Sequence, residues 1–103
     1  MGKAMFKFEL NNKKWHVQQS YHAKVRMEER NIDFFAVVGD IIALGNRIET
    51  LAENNEEAMI IDKNKDISVV AGFQEDFNII TIITVIDKAN VFVKDGTSIE
   101  RVS

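Results

Sequence analysis

Residues 20–45 read SYHAKVRMEERNIDFFAVVGDIIALG, and the two helices expected in this stretch set the class of fold. Ser20 is a good cap ahead of a run of helix-tolerant residues, so a first helix is expected from Tyr21 to about Arg30. Asn31 ends it, because asparagine accepts the left-handed conformation that closes helices. Asp33 then caps a second helix, Phe34 to Leu44, which Gly45 terminates. That second helix is apolar almost all round, with Asp40 its only internal charge. Such a helix belongs at the centre of a core. Its small residues Ala36, Gly39 and Ala43 gather on one side, where a neighbouring backbone could approach.

Beyond Gly45 the rhythm changes to period two and to β-branched residues. Strands are expected at Arg47 to Leu51, Glu57 to Asp62, Ile67 to Phe73, Asn78 to Ile86 and Val91 to Lys94. Asn54-Asn55, Asp62 to Asp66 and Glu75-Asp76 supply turns between them. Asp95-Gly96 suggests a last tight hairpin to Ser98–Val102. On the other side of the helices, Met5 to Leu10 and Trp15 to Gln19 alternate weakly, flank Asn11-Asn12 and read as a short N-terminal hairpin or an extended lead-in. The expected architecture is α+β. Two N-terminal helices, about 21–44, pack on one antiparallel sheet of about four or five strands spanning about 46–102. Residues 1–103 show no repeat, linker or low-complexity stretch, and a chain of this length carries a single domain.

Composition removes several classes of function. The 46% hydrophobic and 28% charged content is that of an ordinary globular protein, not a disordered tail. Zero cysteine excludes a disulfide framework, a cysteine zinc site, thiol catalysis and an iron–sulfur cluster. The first fourteen residues, MGKAMFKFELNNKK, lack the apolar run of a signal peptide. Met1-Gly2 opens like an acylation site, but Phe6 stands where serine or threonine is required. The longest apolar stretch, Ile79 to Ile86, is far short of the roughly 20 residues that span a bilayer. A cytoplasmic chain without a membrane partner is the expectation.

The formal net charge of −3 conceals an asymmetry. Through Arg30 there are seven basic and three acidic side chains, a balance of +4; from Asn31 onward there are six and thirteen, a balance of −7. A mildly acidic protein can still hold an anion at a local basic patch, because the field at a cleft is set locally. Binding of long duplexes by electrostatics alone is disfavoured.

Several motifs fail. Asp62-Lys63-Asn64-Lys65-Asp66 begins like a calcium loop, but Ile67 occupies the glycine position and Phe73 that of the bidentate glutamate. The dispersed glycines form no phosphate-cradling loop, no serine sits in a nucleophile elbow, and His16 and His22 lack the spacing of a zinc site. No metal and no cofactor is expected.

What remains is a stripe on the first helix. His22, Arg26 and Arg30 recur at i, i+4 and i+8, at roughly 100°, 140° and 180° from Tyr21 around the helix. A solvated basic face explains the same spacing, with Arg26 paired to Glu29 and Arg30 favouring the negative end of the macrodipole.

The string Tyr21-His22-x-x-x-Arg26-Met27-x-x-Arg30-x-Ile32, followed by a hydrophobic helix ending in glycine, resembles a group of small uncharacterised bacterial and phage proteins. Their pattern is a histidine, an Arg-Met pair, an Arg-Gly-Ile, then a second helix and a four-stranded sheet. They are grouped with the barnase/EndoU/colicin/RelE-like ribonuclease superfamily, which includes toxin modules. The similarity runs from about Ser20 to Asp87. It nominates His22, Arg26 and Arg30, and through a "TV" signature in the late strand it nominates Thr84. Asn31 replaces the usual glycine, and Ile86 stands where an aromatic is often found.

The resemblance implies metal-free RNA cleavage. That chemistry needs a base for the 2′-hydroxyl, charge stabilisation at phosphorus and an acid for the leaving oxygen. Histidine suits proton transfer near neutrality, and arginine holds phosphate through paired donors. His22 would be the acid or base, Arg26 and Arg30 the phosphate clamp, and Thr84 a positioning donor. Tyr21 and His16 would bind substrate or supply the second proton, and with Trp15 they could form a stacking platform or simply a hydrophobic lid. The expected function is that of an RNA-directed protein, a metal-independent endoribonuclease of toxin type. The alternative is a non-catalytic module of phage or mobile-element origin that binds a host protein, a partner or an antitoxin. A third reading is self-association through an exposed strand edge.

Overall fold

The computed structural model describes residues 6–102. Strands β1 (Phe6–Leu10) and β2 (Lys13–Gln19) form the N-terminal hairpin; Met5, also expected in it, lies outside the described residues. Asn11 and Asn12 both take positive φ, 54° and 66°. That is the two-residue turn whose twist matches the flanking strands, and asparagine tolerates it.

Helix α1 (Tyr21–Glu29) starts where Ser20 Oγ accepts the Ala23 N–H at 3.0 Å. At its end Asn31 turns left-handed, and the N–H groups of Asn31 and Ile32 donate to the carbonyls of Glu28 and Met27. The last carbonyls of the helix are thereby satisfied within the chain. Helix α2 (Phe34–Ile42) is capped by Asp33, whose Oδ1 accepts the Phe35 N–H at 3.2 Å. It is less enclosed than its composition suggests. Val37, Val38, Asp40 and Ile41 are buried, while Phe35, Gly39 and Ile42 are exposed. A Cβ at Gly39 would meet open space, so the small-residue side approaches no neighbouring backbone.

Arg47 to Leu51, expected as a strand, belongs to helix α3 (Arg47–Glu53). Ile48, Leu51 and Ala52 are its buried residues, at the i, i+3, i+4 spacing that a helix places on one face. Strands β3 (Glu57–Asp62), β4 (Ile67–Gln74), β5 (Ile79–Ile86) and β6 (Ser98–Arg101) follow. Val91 to Lys94 forms no strand. The Asp95-Gly96 turn does form, with Thr97 N–H on the Lys94 carbonyl at 3.2 Å, but it feeds β6 alongside β3 and closes no hairpin.

The fold is α+β, with strand order β1-β2-β5-β4-β3-β6. Among the described residues, three α-helices and a six-stranded sheet stand where two helices and four or five strands were expected. The sheet is mixed, not antiparallel: β2 runs parallel to β5, and β3 parallel to β6. Both parallel pairs join strands distant in sequence, which local periodicity does not encode. No helix among the described residues is long and apolar enough to cross a membrane.

The three helices contribute Ala23, Met27, Val37, Ile41, Ile48 and Leu51 to a core completed by Trp15, Val17, Val69, Ala71, Phe73, Ile80, Ile82 and Val85 of the sheet. Alternation sends the intervening residues, His16, Gln18, Val70, Gly72 and Thr81, to the other face, which no helix covers. The register shifts between Val70 and Ala71, which pair with Thr84 and Ile82. Ile83 is therefore the extra residue of a β-bulge. It joins Thr84 on the open face before Val85 returns to the core.

Candidate functional site

The parallel pairing of β2 with β5 stops at Gln19 and Ile82, and β5 runs on for four more residues. Helix α1 takes over its freed edge. Ser20 N–H donates to the Ile82 carbonyl at 2.9 Å, and Ser20 Oγ donates to the Ile83 carbonyl at 2.8 Å. At the other end of the helix, Arg30 Nη1 donates to the Val85 carbonyl at 3.1 Å and lies 3.6 Å from Asp87. One residue thus caps a helix and closes a bulge, and an arginine seals the strand end.

This arrangement orients the predicted stripe. Ala23 and Met27 point into the core, so Arg30 sits at its rim, Arg26 is half-exposed and His22 is exposed. Arg26 lies 3.5 Å from Glu29, an ion pair held loosely at the surface. Tyr21 is 80% exposed at the start of the helix. Thr84 is half-buried on the open face, one residue before the Val85 carbonyl that Arg30 grips. The freed edge of β5 therefore links Arg30 to the neighbourhood of Thr84, while His22 and Arg26 stand on the helical layer. His16 is placed elsewhere, on the open face of β2, opposite Ile79. Next to it Gln18 Nε2 donates to Thr81 Oγ1 at 3.0 Å.

Two features escaped the sequence reading. Phe77, in a 3-10 turn (Asp76–Asn78), has φ of 64° and is 84% exposed. A bulky side chain at positive φ is strained, and such strain gathers at functional positions. The turn packs against β2, two residues before the His16–Ile79 pair. The second feature is a buried acidic pair. Asp40 of α2 and Asp62 of β3 are almost fully enclosed, and Lys65 bridges them, with Nζ 2.9 Å from Asp40 Oδ1 and 3.0 Å from Asp62 Oδ2. Burial, reinforced by hydrogen bonding to Asp62 and opposed by Lys65, pushes the Asp40 carboxyl up to about 6. When Asp40 is ionised, no N–H or O–H among the described residues donates to its Oδ2. The signal was present in the sequence as the one charge inside an apolar helix. Among the described residues no three histidine, aspartate or glutamate side chains gather as metal ligands would.

Comparison with family models, with curated proteins and with solved structures finds no match. The functional reading therefore rests on the residues themselves.

Proposed function

We propose that this chain is an RNA-directed protein that works at the α1–β5 edge as a metal-independent endoribonuclease. The observation that supports the reading is that exposed Tyr21 and His22 and half-exposed Arg26 stand on α1, the helix that Ser20 and Arg30 fasten to the freed edge of β5. Arg26 is the cation available to a phosphate, because its ion pair with Glu29 is a surface one that a more highly charged anion displaces. The His22 imidazole takes the proton of the RNA 2′-hydroxyl. The oxygen so freed bonds to phosphorus as the bond to the 5′-oxygen breaks, leaving a cyclic phosphate. Tyr21 gives the departing oxygen its proton. Arg30 holds the edge in shape, and Thr84 and His16 contact the strand from the open face. Incubation with total RNA in EDTA tests this directly. Cleavage by the parent protein, lost in His22→Ala and Arg26→Ala, is expected. Cleavage retained in both variants, or absent throughout, removes the site.

The second reading, a non-catalytic module that binds a partner protein or antitoxin, is favoured by one observation. Phe92 and Phe77 are 91% and 84% exposed, and exposed aromatics are the anchors of protein interfaces. Under this reading a partner captured from lysate survives nuclease treatment. Under the RNA reading it does not.

A further inference from the structure

One outer edge of the sheet is β1, whose exposed side chains are Lys7 and Glu9. Leu10 and Lys13 flank a two-residue turn, and closing such a turn makes them a hydrogen-bonded pair. Bonded and non-bonded pairs then alternate along the hairpin, so Lys7 and Glu9, opposite His16 and Lys14, are the non-bonded positions. Their backbone N–H and C=O groups point away from β2, and β1 is the terminal strand of the sheet. Their side chains are exposed. Phe6, Phe8 and Leu10 face the helical side and are only half-buried, because among the described residues no strand lies beyond β1. Phe35 continues this apolar border, its ring edge-on to Phe6 at 6.0 Å and 63% exposed.

We infer that β1 pairs antiparallel with β1 of a second copy of this chain, about a two-fold axis at Phe8. Three registers join the outward backbone groups. Pairing Lys7 with Lys7, or Glu9 with Glu9, opposes like charges across the edge and uses fewer of the available backbone groups. Centring on Phe8 sets Lys7 of each copy against Glu9 of the other, twice, and uses the N–H and C=O of both residues. Opposite charges in directly facing positions stabilise antiparallel pairs and like charges destabilise them. Charge order thus selects both the occupant and the register. The contact is isologous and closes on itself, so it gives a dimer and no fibre. Phe6 meets Leu10 of the second copy, Phe8 meets its counterpart, and Phe35 lies where the second helical layer covers it. The two sheets become continuous, with both open faces on the same side.

Charge reversal tests this on the whole chain by light scattering during gel filtration, at concentrations up to hundreds of micromolar. The parent protein is expected to be a dimer. Lys7→Glu places glutamates opposite glutamates and Glu9→Lys places lysines opposite lysines, so each alone is monomeric. Mixing these two variants restores the dimer as a heterodimer, since every facing pair is again of opposite sign. The double variant carrying both changes dimerises as the parent does. Restoration on mixing also shows that the single variants are folded. A monomeric parent, a dimer indifferent to either single change, or single variants that do not recombine overturns the inference.

Discussion

Lys65 holds its ammonium 2.9 Å from Asp40, a carboxylate enclosed in the core side of α2. The interaction spans the helical layer and the β3–β4 turn, and it leaves Oδ2 of the ionised Asp40 without a donor among the described residues. Asp40 holds its proton up to about pH 6 in the folded chain, against an ordinary value of 3.8. The folded state binds more protons than the unfolded state between these values, so this group lowers stability as pH rises through the window. Relative to Asp40→Asn, which cannot ionise, the parent protein is expected to lose on the order of 3 kcal/mol between about pH 4 and pH 6, and nothing further above it. Urea unfolding of both proteins across that range measures the difference. Parallel stability curves would mean that Asp40 titrates as an exposed carboxylate.

Lys65 is expected to matter most while Asp40 is charged. Lys65→Met removes the cation from two enclosed carboxylates and should cost about 2 kcal/mol near neutrality, a figure reduced by the half-exposed ammonium. In the Asp40→Asn background the same change should cost less than half as much, because one of its two partners is neutral. The coupling energy from a double-mutant cycle in urea decides this, and additivity would place the two residues in independent environments.

Arg26 and Arg30 share a stripe but separate in consequence. Arg30→Ala strips a donor from the Val85 carbonyl and should cost about 1–2 kcal/mol in thermal or urea unfolding. Arg26→Ala removes a surface ion pair and should leave stability within about 0.5 kcal/mol. Loss of RNA cleavage or retention in Arg26→Ala at unchanged stability then reports on the phosphate contact. The same loss in Arg30→Ala does not separate contact from folding. Arg30→Lys sharpens the contrast, since one ammonium can still reach the carbonyl.

Local chemistry made the helix boundaries legible. Ser20, Asn31 and Asp33 adopt the capping roles their side chains suit, and α1 and α2 begin at the expected residues. β3 matches its expected span, and β4 and β5 each match within one residue. Arg47 to Leu51 misled because β-branched Ile48 and Thr50 suggest a strand, whereas Ile48 and Leu51, three apart, cannot share one strand face. Val91 and Val93 alternate in burial with Phe92 and Lys94 without any pairing strand, so period two alone does not make a sheet. For the candidate site, the helical spacing of His22, Arg26 and Arg30 was visible. The bulge that turns Thr84 to the open face, and the freed β5 edge that engages Arg30, arise from tertiary pairing and leave no local signature.

Phe77 offers a test in which stability and binding move in opposite directions. Its φ of 64° places a bulky side chain in the left-handed region, while its ring is 84% exposed and gains little from packing. Left-handed backbone costs an ordinary residue about 1–2 kcal/mol, and asparagine adopts it readily. Phe77→Asn is therefore expected to raise stability by about 1 kcal/mol in urea unfolding, less whatever apolar contact the ring retains. The strained ring stands beside the turn into β5, next to the His16–Ile79 pair and at the opposite end of β5 from its freed edge, where a base of a strand that also meets His16 on the open face could stack on it. The same substitution should then weaken retention of single-stranded RNA in a filter-binding assay. A stabilised variant that retains RNA as well as the parent places Phe77 outside the RNA path. A destabilised one shows that packing of the ring outweighs the backbone strain.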